Sequence, residues 1–183
     1  MCPGIGAPLA GMQLDETIAL GADRIVFFGS CGVIDPKIKP DALVLLNGAV
    51  SDEGTSRLYA NRRSDGPVVP DRFLTESLRK AMAGYGIPFT EGKSWTTDAA
   101  YRETPGKIAS MRRKGCVCVD MEASALLTIA RFYGKRAGGF LVPGDRFTEN
   151  AWRPRDPGRK AARIRPAALL RLTLDALITG DGP

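Results

Sequence analysis

Ile25-Val26-Phe27-Phe28-Gly29-Ser30-Cys31-Gly32 joins four consecutive apolar residues to a short polar stretch closed by glycines. An apolar run this short, with charge before it and glycine after it, reads as a strand covered on both faces. Gly29 to Gly32 then reads as the turn at its carboxyl end. On the amino-terminal side, Ala7 to Leu20 places Leu9, Met12, Leu14, Ile18 and Leu20 at helical spacing, with Gly21 to close the helix. On the other side, Ala42 to Leu46 is a second apolar run and a second strand, and Ser51 to Pro70 is a long polar loop.

The same alternation continues. Asp71 is placed to cap a helix running to about Tyr85, with Phe73, Leu74, Leu78 and Met82 on one face and Gly86 at its end. Pro88 to Trp95 is extended, Pro105 to Lys114 a short helix, Cys116 to Val119 a strand, and Glu122 to Tyr133 a helix rich in alanine and leucine. Ala137 to Val142 is a strand followed by the turn Pro143-Gly144-Asp145. From Pro157 onward an amphipathic helix carries Ala167, Leu169, Leu170, Leu172, Leu174 and Leu177. Strands that alternate with helices predict an α/β fold of three layers, α/β/α, around a central mixed and largely parallel sheet. Residues 1–183 fit a single domain, with Ile25 to Phe28, Cys116 to Val119 and Ala137 to Val142 as interior strands. In such sheets ligands bind beyond the carboxyl ends of the strands. The three polar stretches Gly29 to Gly32, Asp120 to Glu122, and Gly144-Asp145 all fall at such ends.

Composition narrows the chemistry. The 183 residues are 44% hydrophobic and 25% charged, as in soluble globular domains, and no apolar run reaches the roughly 20 residues that span a bilayer. The first residues lack the basic and apolar segments of a signal peptide. Cys2, Cys31, Cys116 and Cys118 include no Cys-x-x-Cys pair, and the chain has no histidine. Free thiols in a reducing cytoplasm are therefore expected, with no metal site. The absence of histidine also removes serine and cysteine triads and leaves carboxylates, hydroxyls, arginines and backbone amides for any chemistry. Of the formal charge of +6, much sits in Arg153, Arg155, Arg159, Lys160, Arg163 and Arg165. With no interleaved aromatics or nucleic-acid motif, this cluster reads as a solvated loop and helix start rather than a nucleic-acid surface.

Four motifs in order carry a resemblance. Gly4-Ile-Gly-Ala-Pro8 leads into a helix, and Gly29-Ser-Cys-Gly32 follows a strand. Val119-Asp-Met-Glu-Ala123 opens a helix, and Gly144-Asp145 follows the next strand, 23 residues after Glu122. Together they resemble the nucleoside phosphorylase and uridine phosphorylase superfamily, purine nucleoside phosphorylases above all, from Gly4 to about Trp152. The resemblance implies cleavage of the N-glycosidic bond of a purine-type nucleoside, by phosphorolysis or hydrolysis. It also implies a homo-oligomer and no cofactor, with inorganic phosphate as co-substrate in a phosphorylase. Gly29 and Ser30 would offer an anion a hydroxyl and backbone amides. Met121 would pack on the ribose while Glu122 accepts hydrogen bonds from its hydroxyls. Asp145 would be the general acid for the departing base, which requires a raised carboxyl pKa. Thr97, Ala100 and Tyr101 would line the base pocket, with Tyr101 or Trp95 supplying the stacking that Ala100 cannot.

Each of these residues has an ordinary structural alternative. A glycine turn serves close chain approach, acidic residues favour the first turn of a helix, and Asp98 or Asp145 can be turn residues. Two departures from the family pattern bear on the reaction. A phosphate-clamping arginine of many phosphorylases aligns with Phe27, leaving Arg57 or Arg102 as candidate replacements. The family's amino-terminal strands have no counterpart, so an amino-terminally shortened sheet with an unpaired edge is expected. The alternative to an enzyme is a catalytically inactive binding or scaffold protein of the same fold.

Overall fold

The computed structural model describes residues 4–60, 66–148, 152–153 and 166–179. Its strands are β1 (Arg24–Val33), β2 (Leu43–Asp52), β3 (Phe89–Thr97), β4 (Cys116–Asp120), β5 (Arg136–Phe147) and β6 (Trp152–Arg153). Its helices are α1 (Ala7–Ala19), α2 (Ser56–Tyr59), α3 (Arg72–Gly84), α4 (Pro105–Arg113), α5 (Ala123–Phe132) and α6 (Pro166–Thr179). The strand order is β1-β4-β3-β2-β5-β6, and β1 also pairs with β5, so five strands close into a ring. β2, β3 and β4 are mutually parallel, as are β1 and β5, but the two blocks run in opposite directions where β1 meets β4 and β2 meets β5. The sheet is mixed, as expected, and parallel only within each block.

Alternation along the strands distributes the side chains between layers. On β2, Leu43 and Leu45 pack with α3 (Leu78, Met82) and α6 (Leu169, Leu172, Ala176), whereas Val44 and Leu46 pack with α5 through Ala123, Leu127 and Ala130. β1 repeats the pattern, with Val26 on the first side and Ile25 and Phe27 on the second. α4 covers β3 and β4 through Ile108 and Met111, which join Ile34, Trp95, Cys116 and Val119. Asp71 caps α3 as expected, accepting from the Leu74 amide at 2.9 Å.

Several sequence expectations are corrected. The buried face of α1 is Ala7, Ala10, Gly11 and Leu14, while Leu9, Met12 and Leu20 are exposed. Small residues win that face because α1 lies close on α5, where a Cβ on Gly11 would stand 2.9 Å from the Ile129 side chain. Gly29 to Gly32 is not a turn. β1 continues through it to Val33, paired with β5 through Cys31 and again at Val33, and with β4 at Gly32 and Val33. Pro143 to Asp145 is likewise inside β5, which holds one more residue than β1 between the pairs Cys31–Pro143 and Val33–Arg146. That surplus is a β-bulge, a local kink that re-aims side chains without ending the strand. Ile25 to Phe28 is only half interior. It pairs with β5 on one side, its apolar residues are partly exposed, and β4 joins β1 only farther along. The polar loop is shorter than expected, since β2 reaches Asp52, α2 follows, and Val68 bridges back to Ala49. The basic cluster beyond Arg153, and the helix expected to begin at Pro157, fall outside the described residues until α6 begins at Pro166.

Candidate active site

β1 and β4 cross at their carboxyl ends, where Gly32 opposes Val119. There Cys31 Sγ donates to the Val142 carbonyl at 3.7 Å, and the neighbouring Cys118 thiol, with burial, pushes the Cys31 thiol well up. β3 arrives beside β4 with Thr96 opposite Asp120, and β5 arrives beside β1 with Val142 opposite Ser30. Four carboxyl ends therefore meet in one region of the molecule.

Asp120 organises that region. Its carboxylate is fully enclosed and accepts Ser94 Oγ at 2.6 Å, Thr96 Oγ1 at 2.9 Å, and the amides of Glu122 and Ala123 at 2.8 and 2.5 Å. These bonds hold the turn Met121-Glu122 between β4 and α5 and satisfy two of the orphan amides at the start of α5. The role of Asp120 is thus positional, because no lone pair faces a cleft. A second buried carboxylate, Glu53, does the same one layer away. It accepts Ser51 Oγ at 2.8 Å, Ser124 Oγ at 2.9 Å and the Ser56 amide at 2.9 Å. Burial alone would raise its pKa, but the hydrogen bonds from Ser56, Ser51 and Ser124 outweigh it and the net direction is down. Sequence reading passed over Glu53; the signal was its place three residues ahead of Ser56, the spacing at which a carboxylate caps a helix.

Glu122 is half-buried, and its Oε1 accepts the Gly6 amide at 2.6 Å. That bond fastens the start of α1 to the start of α5. Burial, foremost, and the neighbouring Asp120 push its pKa up, against the opposing pull of the Gly6 amide. Met121 beside it is half-buried. Gly29 and Ser30 are exposed on β1, and Asp145 is half-buried in the bulge of β5. Gly144, its neighbour, faces the Cys31 carbonyl, so the bulge lies beside the β1 residues that follow Gly29-Ser30. Gly29 and Ser30, the Met121-Glu122 turn and Asp145 thus lie on or just beyond three adjoining strands, β1, β4 and β5. Thr97 follows Thr96 at the end of β3, is 2% exposed, and accepts the Ala99 amide. Ala100 and Tyr101 lie exposed on a 3-10 turn (Ala100–Arg102) beyond it.

Other candidates separate from this group. Trp95 is wholly buried in the α4 cluster, donates to Asp52 at 3.0 Å and lies under Lys107, so it does not stack on a base. Asp98 accepts the Gly54 amide at 2.9 Å and staples two loops, which is its structural role. Arg57 is exposed on α2, and among the described residues no hydrogen bond or ion pair joins it to Gly29 or Ser30. Phe27 packs between the sheet and α1 and α5, in a slot that exists because a Cβ on Gly139 would stand 2.6 Å from its ring. An apolar side chain has been built into the core at the place where the resemblance expects a guanidinium.

The model of the phosphorylase superfamily matches residues 1–174. A uridine phosphorylase of Thermococcus kodakarensis is 33% identical over 148 residues, covering 74% of this chain and 53% of that one. A purine nucleoside phosphorylase of Chromobacterium violaceum is 29% identical over 146 residues, covering 79% and 61%. Among solved structures, an AMP nucleosidase from Bacteroides thetaiotaomicron superposes with a TM-score of 0.75 at 22% identity, covering 96% of this chain and 68% of that one. The chain therefore spans between about half and three fifths of the length of these curated relatives.

Proposed function

The chain belongs to the phosphorylase superfamily, and from that premise we propose that it cleaves the N-glycosidic bond of a nucleoside. The observation that carries this reading is the meeting of the β1, β4 and β5 carboxyl ends, with Asp145 on a bulge beside Cys31-Gly32 and Gly32 opposite Val119, just ahead of the Met121-Glu122 turn. In it Met121 and Glu122 hold the ribose, Gly29 and Ser30 face the attacking oxygen nucleophile, and Asp145 protonates the base as the bond breaks. Thr97, Ala100 and Tyr101 border the base. The carboxylic acid at position 145 favours purines, whose ring nitrogen accepts a proton in the departing base. The relatives include a uridine and a purine phosphorylase, so both base classes belong in the assay.

Phe27 bears on the choice of nucleophile. Without a guanidinium at that place a phosphate dianion loses a bidentate partner, which favours water unless Arg57 or Arg102 turns inward. Base release from inosine, adenosine and uridine, followed with and without inorganic phosphate, is the test. Release from the purine nucleosides that is insensitive to phosphate is expected. Strict phosphate dependence would make it a phosphorylase with a replacement arginine. No release from a folded protein would leave a binding protein of the same fold.

The reading includes a homo-oligomer with no cofactor, in the cytoplasm. Buried free thiols at Cys31, Cys116 and Cys118 suit a reducing compartment. No helix among the described residues is long and apolar enough to cross a membrane. Ile5, Leu9 and Met12 around α1 and Leu58 on α2 are exposed apolar side chains on neighbouring elements, a patch of the kind that self-association covers. Light scattering is expected to give a dimer or larger species, and Met12→Asp to shift it toward monomer. A monomer at every concentration would end this part of the proposal.

A further inference from the structure

The motif Gly4-Ile5-Gly6-Ala7-Pro8 leads into α1, a helix that starts without a cap of its own. Its N-cap is Gly6, which has no side chain to accept a bond. The third helical position, where a capping box would place a glutamate to take the N-cap amide, is Leu9. The Gly6 amide donates instead to Glu122 Oε1 at 2.6 Å, on a residue 116 positions further along the chain. α5 shows why that carboxylate is available. Glu122 is the N-cap residue of α5, yet its side chain makes no capping bond there. Asp120 caps α5 in its place, since its Oδ2 accepts the amides of both Glu122 and Ala123. Asp120 is fixed in turn by the hydroxyls of Ser94 and Thr96, and Thr96 Oγ1 also accepts the Ser124 amide at 3.0 Å. Asp120 therefore holds the backbone from which Glu122 projects, and Gly6 holds the far end of its side chain.

Resting on the reading of Glu122 as the ribose carboxylate, we propose that the Gly6 backbone amide is a positioning group for ribose recognition, holding Oε1 and so setting the orientation in which the carboxylate meets the 2′- and 3′-hydroxyls of a nucleoside. Gly6 touches Glu122 rather than the sugar, and is a positioning residue. A carboxylate tied at one oxygen has lost much of its rotational freedom before a ligand arrives, which lowers the ordering cost of binding. Burial, foremost, pushes the Glu122 carboxyl up, with the Asp120 charge adding to it, and the Gly6 amide opposes that push.

The backbone of the motif is built for this contact. Gly6 lies at φ +103°, a conformation that side-chain-bearing residues rarely adopt. A Cβ on Gly4 would stand 2.2 Å from Leu9 Cδ2, so the chain is tight just before Gly6. Pro8, in the first turn of α1, fixes the direction in which the helix leaves it. Farther along, α1 lies close on α5 where Gly11 meets Ile129, so the two helix starts are held in register with one another.

The test removes the N–H and keeps the glycine. Glycolic acid incorporated at position 6 turns the Ile5–Gly6 amide into an ester, and calorimetry compares binding of inosine with that of 2′,3′-dideoxyinosine, which lacks both hydroxyls. The ester protein is expected to bind inosine about tenfold or more weakly, the usual worth of a hydrogen bond to a charged group, and the dideoxy compound as wild type does. Glu122→Ala is expected to narrow the same preference, and the ester to narrow it no further in that background. Gly6→Ala keeps the amide but not its conformation, and is expected to show the same selective loss. Equal losses for the two compounds, or inosine binding within about twofold of wild type in the folded variants, would overturn the positioning role. A wild-type protein with no preference for inosine, or a Glu122→Ala protein that keeps the preference whole, would defeat the ribose reading and the positioning role with it.

Discussion

Asp145→Asn is expected to lower purine nucleoside cleavage by about 10²–10⁴-fold, the usual cost of removing a general acid, while inosine binding measured by calorimetry changes little. The reasoning is differential. The proton matters only while negative charge gathers on the leaving base, so its loss raises the barrier without weakening the ground-state complex. Asparagine keeps the size of the side chain and the bulge of β5, so packing against Gly32 and Cys31 is retained. Glu122→Ala gives the contrasting result. Its ribose contacts exist before and during bond cleavage, so binding and turnover fall together, and the tie from Glu122 to the Gly6 amide is lost as well. Equal losses of binding in the two variants would remove the assignment of Asp145 as the acid.

The largest effect on stability is expected at Asp120, a residue that touches no substrate in this reading. Asp120→Ala leaves the hydroxyls of Ser94 and Thr96 and the amides of Glu122 and Ala123 without their acceptor in an enclosed place. Each such orphan costs about 1–3 kcal/mol, so a loss of at least about 4 kcal/mol is expected against a total of about 5–15 kcal/mol for a domain. Urea unfolding should show the midpoint collapsing in Asp120→Ala and partly recovering in Asp120→Asn, which retains one oxygen acceptor. A midpoint within about 0.5 kcal/mol of wild type would mean that the network has another anchor.

How legible this was in the sequence differed by kind of signal. Helix α3 was readable because an N-cap aspartate, Leu74, Leu78 and Met82 at helical spacing, and Gly86 all agree. The strands were found but cut short. Glycines and a proline in Gly29 to Gly32 and Pro143 to Asp145 mark turns when judged locally, and here pairing between distant strands overrides that preference. The same difficulty hid the bulge, which exists only relative to a partner strand. α1 misled because the residues that pack are its smallest, a choice dictated by the nearness of α5 and invisible from α1 alone. Asp145, Glu122 and Ser30 were singled out by resemblance, and the strands that carry or precede them, β5, β4 and β1, adjoin one another.

The pairing of β1 with β5 also has a meaning in time. During synthesis β1 leaves the ribosome roughly 110 residues before the strand it must lie against. At about 5–20 residues per second, Ile25 to Phe28 therefore waits on the order of 5–20 seconds with no partner on the side that β5 will fill. Contacts so remote in sequence also close late in an unassisted fold. The nascent chain thus carries an apolar, hydrogen-bond-hungry segment until β5 is made. A chaperone that grips short extended apolar peptides would find it there, and β5, made long after it, is the strand that hides it.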